Sequence, residues 1–365
     1  MFSFVPLESY YPLYINICLL LVIFTLFHTW VLKMDNHVNL VFTNIAGGGL
    51  LLFITLYIGQ REISGIYFGD TINYARAYQK YALGGELNEE GDLGWNIFMK
   101  FIASYASIST FFTIIAFLYI FPLYKISVTY FNQYWYYAFI MFLVSFSFWT
   151  YGVNGIRNGT ACSLFLWGLC YERKKVVMAL FFFLAISFHK TLLLPIIAYL
   201  VTYIYNNPKF FFYGWVLCIP LSLVAGGFWI NLFSSLGFGD DRLSGYLTSA
   251  PADGTFSNTG FRWDFLFHSA FAVFAGWYFV LKIKFQDTTY NKLLITYLIC
   301  NGFWILVITA NFSNRFAYLS WFMMAIVIIY PLLKKQFFAN QHFIIGKILS
   351  IYFSFTYLMF YLYYN

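Results

Sequence analysis

The chain is 365 residues long, 61% hydrophobic, 25% aromatic and only 10% charged, with a formal net charge of +7. A soluble domain carries about 25% charged residues, so this chain has too few charges to cover a water-exposed surface of its size. The composition excludes a soluble enzyme and places most of the surface in lipid. The basic balance reads first as membrane topology, and no nucleic-acid partner is implied.

The start, MFSFVPLESYYPLY, has no basic n-region and no small-residue cleavage site, so the first apolar segment is expected to stay as a membrane helix. Apolar runs of roughly 20 residues are needed to cross the hydrocarbon. Such runs lie near 11–32, 39–58, 107–126, 134–151, 155–171, 175–188, 191–205, 210–229, 263–282, 293–310, 315–333 and 343–363. The expectation is an all-α polytopic transmembrane bundle of about 12 spans, a single integral membrane domain over 1–365. The runs are continuous and not alternating, which argues against a β-barrel. The short runs 175–188 and 191–205 read as tilted spans or one broken hairpin. Cys18, Cys162, Cys170, Cys218 and Cys300 all fall in apolar stretches with no metal-ligand spacing, as small buried hydrophobes do.

Two loops are long, 59–106 and 230–262, and loops beyond about 12–15 residues are usually functional or disordered. Within the first, Thr71 to Leu83 reads as an amphipathic helix with Tyr74, Tyr78 and Tyr81 on one face, Asp70 or Thr71 as its N-cap and Gly84-Gly85 as its end. These tyrosines either anchor the helix at the membrane interface or stack on sugar rings. Leu93 to Ser104 is apolar but too short to cross, and reads as re-entrant or interfacial. The second loop, rich in Gly, Ser, Asp and Pro, reads as a lid or an unstructured surface segment.

Lysine and arginine in short loops set orientation. Alternating the loops from Lys33 puts Lys125, Lys174, Lys175, Lys209, Lys282, Lys334 and Lys335 on the cytoplasmic side and both termini outside. Arg61, Arg76, Arg157, Arg242, Arg262 and Arg315 then fall on the outer side, and of the arginines only Arg173 falls inside. Topology needs positive charge of either kind. A forked guanidinium is the group for gripping phosphate or carboxylate, so the outer arginines either hold an anionic ligand or pair with the outer acids. Arg157 lies just inside an outer helix start, in WTYGVNGIRNGTACSLF, with Asn154 and Asn158 beside it. A helix N-terminus already attracts phosphate, and a guanidinium added there makes a pyrophosphate seat; the alternative is an arginine snorkelling to the interface. His189-Lys190 stands at the break between two short spans, where an imidazole can take a proton from an attacking hydroxyl or form a satisfied polar pair. Arg315 opens another outer helix.

In this order the residues resemble the EpsG/Wzy-like membrane polymerases of bacterial exopolysaccharide and O-antigen clusters. Arg61 followed by Gly69-Asp70-Thr71-Ile72-Asn73-Tyr74 is similar to the family's arginine and D-x-x-x-Y pattern, and Asp92-Leu93-Gly94-Trp95 to its acid-x-Gly-aromatic pattern. Asn154-Gly155-Ile156-Arg157-Asn158 resembles the N-x-I-R-Q core, with asparagine at 158 where glutamine is usual, and Phe188-His189-Lys190-Thr191 resembles the F-H-K/x-S element. Arg315 is similar to a late arginine of many members. The motifs cover 61–191, and the rest matches by hydropathy alone.

The resemblance implies a multi-pass enzyme of the bacterial inner membrane whose active site faces the periplasm. Its partner there is undecaprenyl-pyrophosphate-linked oligosaccharide in the bilayer, with a flippase and a chain-length regulator nearby. One unit's sugar hydroxyl attacks the anomeric carbon of another chain and releases undecaprenyl pyrophosphate. Arg157, His189 and Asp70 are the expected catalytic residues. Arg61, Tyr74, Asp92, Asn154, Asn158, Lys190, Arg242, Arg262 and Arg315 are the expected substrate-binding residues. Asp70, Asp92 and His189 are the candidate bases. No cofactor or metal is expected, although Asp240-Asp241 is an outer acid pair. An O-antigen ligase-like transferase and a polysaccharide transporter or flippase remain the alternatives.

Overall fold

The computed structural model describes residues 4–235, 260–311 and 313–364, and among them every regular element is helical. In chain order the helices are α1 (Tyr10–Val31), α2 (His37–Gly59), α3 (Gly65–Phe68), α4 (Thr71–Ala82), α5 (Leu93–Ala103), α6 (Ile108–Phe131), α7 (Trp135–Leu143) and α8 (Phe148–Val153). They continue as α9 (Ile156–Leu169), α10 (Lys175–Phe188), α11 (Leu193–Ile204), α12 (Pro208–Ser235) and α13 (Trp263–Trp277). Last come α14 (Thr288–Leu306), α15 (Asn314–Lys334) and α16 (Gln341–Tyr364). Short polar residues start several of them: Asn36, Ser107 and Asp287 accept the backbone N–H of Val38, Thr110 and Tyr290 at the heads of α2, α6 and α14.

Among the described residues, seven helical stretches are long and apolar enough to cross a membrane: Leu7–Val31, His37–Gly59, Ile108–Leu143, Pro208–Ser235, Trp263–Lys282, Asn314–Lys334 and Gln341–Leu362. The chain is therefore built as a helical membrane protein. Of the other expected spans, that near 293–310 is the 19-residue α14, and others are shorter. α9 and α10 have 14 residues each, which at about 1.5 Å per residue is roughly 21 Å, against a hydrocarbon core of about 30 Å.

The run near 134–151 is not the single helix its hydropathy suggests. It breaks after Leu143 and resumes as α8, and a second break at Asn154-Gly155 precedes α9. Broken backbone at membrane depth needs internal partners. Here they are side chains: the Tyr14 hydroxyl donates to the Leu143 carbonyl and the Thr356 hydroxyl to that of Val144, at 3.0 Å for the latter. A hydropathy average sees only apolar residues and is blind to partners supplied from α1 and α16.

The chain divides into two compact units, Met1–His189 with Leu332–Asn365, and Lys190–Pro331. In the first, α16 packs along α1, α2 along α6, and α9 between α6 and α10. α9 presents buried residues on almost every side, from Ile156 to Leu169. In the second unit α14 packs against both α11 and α12. Several of its buried polar groups pair across helices. The Trp215 indole donates to Asn301 (2.7 Å), the Asn301 amide to the Ser320 hydroxyl (2.9 Å), and the Trp321 indole to the Ser269 hydroxyl (2.7 Å).

Candidate active site

The second break in the first unit places Arg157 in the opening turn of α9, after Gly155, with no side-chain cap on the helix. Its Nη1 lies 2.8 Å from Asp92 Oδ2 at the head of α5. The carboxylate side chain is 1% exposed and the guanidinium 16%. An ionised carboxylate this deep needs a partner, and Arg157 supplies it. Nε of Arg157 is buried with no hydrogen-bond partner among the described residues. The guanidinium is thus held at one nitrogen and left partly open, at a helix N-terminus whose dipole already favours an anion.

The Asp92-x-Gly94-Trp95 pattern now has a mechanical reading. A Cβ on Gly94 would meet the side chain of Ser187 and lie 2.8 Å from its carbonyl oxygen, so only glycine lets α5 touch the end of α10. Trp95 is 2% exposed and packs edge-on against Tyr74, Phe111 and Phe188 at 5.5, 5.9 and 5.7 Å. One indole thus ties α4, α5, α6 and α10 together. α10 ends at Phe188 and His189 is its C-cap, with extended backbone (φ −156°, ψ 113°). The same packing that sets Asp92 on Arg157 therefore also fixes the residue before His189. Gly94→Val is expected to push α5 off α10 and cost about 1–3 kcal/mol through overpacking. Thermal unfolding of the purified protein checks it.

The Gly69–Tyr74 motif docks on the same break. Gly69 has φ +54°, and a Cβ there would lie 2.5 Å from Asn154 Oδ1. That same oxygen accepts the Asp70 backbone N–H at 2.8 Å. Two glycine requirements meet at one residue, a positive φ and a close approach. Gly69→Ala is expected to destabilise by about 1–3 kcal/mol, and Asn154→Ala, which removes the acceptor but leaves the glycine, by about 1 kcal/mol. Asp70 occupies the N-cap of α4 without capping by its side chain. Its exposed carboxylate accepts from the Asn73 amide at 3.2 Å.

Arg61 differs from Arg157 in kind. It is 6% exposed. Its guanidinium donates to the carbonyls of Ile58 (2.6 Å) and Val153 (2.9 Å) and to the Thr71 hydroxyl (3.2 Å), and lies 5.7 and 5.1 Å from the ring centres of Phe68 and Phe112. Burial pulls its pKa down to about 10, so it stays charged at neutral pH. Its two Nη groups serve protein acceptors, joining the end of α2, the head of α4 and the end of α8, while its Nε, like that of Arg157, is buried with no hydrogen-bond partner among the described residues.

The tyrosines of α4 separate likewise. Tyr78 and Tyr81 are buried. The Tyr78 hydroxyl donates to the Ala106 carbonyl (2.8 Å) and that of Tyr81 accepts from the Asn88 N–H (3.2 Å). Neither an interfacial anchor nor a sugar platform describes these two, whose amphipathic stripe faces protein. Tyr74 is half-buried, against Trp95. Asn158 is 8% exposed and its side-chain oxygen faces Cys162 Sγ, 3.5 Å away within α9, so it turns inward and not beside Arg157.

In the second unit, Lys190 begins the turn before α11, and Arg315 lies in the first turn of α15, half-buried. Arg262 is taken up locally. Its Nε and Nη2 reach the two oxygens of Asp264 at 2.9 and 2.6 Å, and its guanidinium stacks 3.7 Å from the Phe265 ring centre. That is the structural ion pair left open by the sequence. Arg242 and Asp240-Asp241 lie outside the described residues, as does most of the second long loop.

The first unit thus joins four distant sequence motifs: Arg61 to Val153, Asp70 to Asn154, Asp92 to Arg157, and Trp95 to Phe188. Sequence reading placed Asp92 among ligand contacts and missed its pairing with Arg157; it also left out Trp95 and Ser187 as supports. Only the acid-x-Gly-aromatic spacing signalled them. Comparison with curated proteins and with solved structures gives no match. The model of the EpsG family matches residues 49–365, a stretch that contains every one of these motifs, and the chain belongs to the EpsG family.

Proposed function

We propose that this protein is a membrane polysaccharide polymerase that joins undecaprenyl-pyrophosphate-linked oligosaccharide units at the periplasmic face of the bacterial inner membrane. The observation that carries the reading is the Arg157–Asp92 pair at the interrupted head of α9, in a chain of the EpsG family. In the proposed topology the short helices join the seven long ones to make about 12 passes, with the loops after α2 and α12 outside. Membership of a polysaccharide-polymerising family and the outward bias of arginine support that orientation.

The reaction transfers a glycosyl group. An acceptor hydroxyl forms a bond to the anomeric carbon, the bond to the diphosphate oxygen breaks, and the hydroxyl proton leaves to a base. Arg157 neutralises the charge that grows on the departing diphosphate. Asp92, too buried to meet a sugar hydroxyl, aims the guanidinium. Asp70, exposed, and His189, at the end of α10, are then the two candidates for the base, and Tyr74 packs on Trp95 in the helix that Asp70 begins.

The test is a purified assay with lipid-linked repeat units as both donor and acceptor. Lengthening of lipid-linked chains without lipid A is the expected result. A requirement for lipid A as acceptor would make the protein a ligase, and no transfer with either acceptor would remove the enzyme assignment.

A further inference from the structure

The first unit also carries a cavity away from Arg157. The hydroxyl of Tyr10 donates to the Tyr57 carbonyl and that of Tyr57 to the Tyr10 carbonyl, at 3.0 and 2.7 Å. These bonds set the head of α1 beside the end of α2 that leads into Arg61. The opposite end of α1 is therefore about 30 Å away, given 22 residues at about 1.5 Å each. There the α1–α2 turn and the loop before α16 enclose a cavity of about 950 Å³. Its wall carries Lys33, Lys334 and Lys335 against one carboxylate, Asp35.

Buried side chains hold both loops in place. Gln341, 7% exposed, donates to the carbonyls of Leu332 and Lys335 at 2.5 and 2.8 Å and accepts the Phe337 N–H at 2.6 Å, which shapes the segment bearing Lys334 and Lys335. His342 bonds the Leu32 carbonyl through Nδ1 at 2.6 Å, and its Nε2 is 2.5 Å from the Tyr137 hydroxyl. A carbonyl only accepts, so Nδ1 carries the hydrogen. The residue before Lys33 is thereby tied to the head of α16. Beside the cavity the surface turns apolar. Trp30 is 66% exposed and stacked on Phe343, and Phe27 and Val31 continue the exposed face of α1.

We propose that this cavity binds the phosphate head group of an anionic phospholipid, with its acyl chains along Phe27, Trp30 and Val31. A free phosphate would use the lysines but gain nothing from the apolar strip. A zwitterionic lipid would use the strip but bring no net charge to a wall with an excess of lysine. Basic pockets between membrane helices recognise anionic head groups on this principle. The volume is of the size that encloses a small ligand. Nothing in the proposal depends on the transferase reading, and its test uses no sugar substrate.

The full chain is purified in mixed micelles of phosphatidylglycerol and phosphatidylcholine, and retained lipid is counted by native mass spectrometry. Preferential retention of phosphatidylglycerol is expected. Lys33, Lys334 and Lys335 are exposed, so K33Q, K334Q and K335Q preserve the fold, as a monodisperse elution profile will verify. Each is expected to weaken retention about fivefold, with phosphatidylcholine unaffected. Trp30→Ala, which keeps all three lysines, is expected to weaken it too. Equal retention of the two lipids, or wild-type retention by the triple variant, overturns the proposal. Displacement by millimolar inorganic phosphate, or indifference to Trp30→Ala, overturns the lipid assignment in favour of a soluble phosphate.

Discussion

Removing both charges of the Arg157–Asp92 pair, as Arg157→Gln with Asp92→Asn, is expected to lower the polymerisation rate by about 10²–10³ while the protein stays inserted and folded. The double change matters because of burial. Arg157→Ala alone strands a carboxylate that is 1% exposed, and leaving such a charge unpaired costs about 3–5 kcal/mol. Loss of polymer from that variant would confuse catalysis with unfolding. Two neutral amides leave no unpaired charge in the buried site and remove the cation that meets the diphosphate. Asp92→Asn alone keeps the cation but loosens its aim, and a smaller loss of about tenfold is expected, by the cost of misplacing a catalytic group. The readout is the chain-length ladder of surface glycan together with the amount of protein in the membrane. A normal ladder from the double variant would remove Arg157 from the reaction.

Arg61→Ala is expected to do the opposite: to cost about 2–4 kcal/mol of stability and to reduce polymer only in proportion to the folded protein that remains. Its guanidinium fills three protein acceptors on three elements. Without it the Ile58 carbonyl loses the bond it receives from the guanidinium, whereas the Val153 carbonyl keeps the Thr71 hydroxyl at 2.8 Å. Arg61→Lys is expected to rescue little, because a single ammonium cannot reach the ends of α2 and α8 at once as the fork does. Thermal unfolding in detergent separates the two arginines. A large drop in midpoint for Arg61→Ala beside a small one for the double amide variant is the expected pattern. Full stability with lost activity for Arg61→Ala would make Arg61 a substrate contact after all.

The two variants also show where sequence reading ends. Both arginines stood on the outer side, where residue type alone suggested an anionic ligand for each, and the resemblance made Arg157 catalytic and Arg61 substrate-binding. What distinguishes them is the partner, and the partners of Arg61 are mostly backbone carbonyls, which leave no trace in residue type.

Local information alone determined the helices. Continuous apolar runs have too little charge for water and must satisfy their own backbone, so a helical membrane chain followed from composition, and the amphipathic, glycine-ended helix expected over 71–83 and found over 71–82 followed from spacing. The four motifs and the break before α11 were legible because each is a short string of residue types that can be read without its partners. Tertiary structure decided the rest. It split the run near 134–151, because Tyr14 and Thr356 take the freed carbonyls. It turned Tyr78 and Tyr81 inward, because α5 and the turn after it cover that face. It set Asp92 on Arg157 across 65 positions, because Gly94 lets α5 reach α10. Each outcome depends on groups from different elements or loops meeting within hydrogen-bonding or ion-pair distance, and periodicity carries no information about which they are.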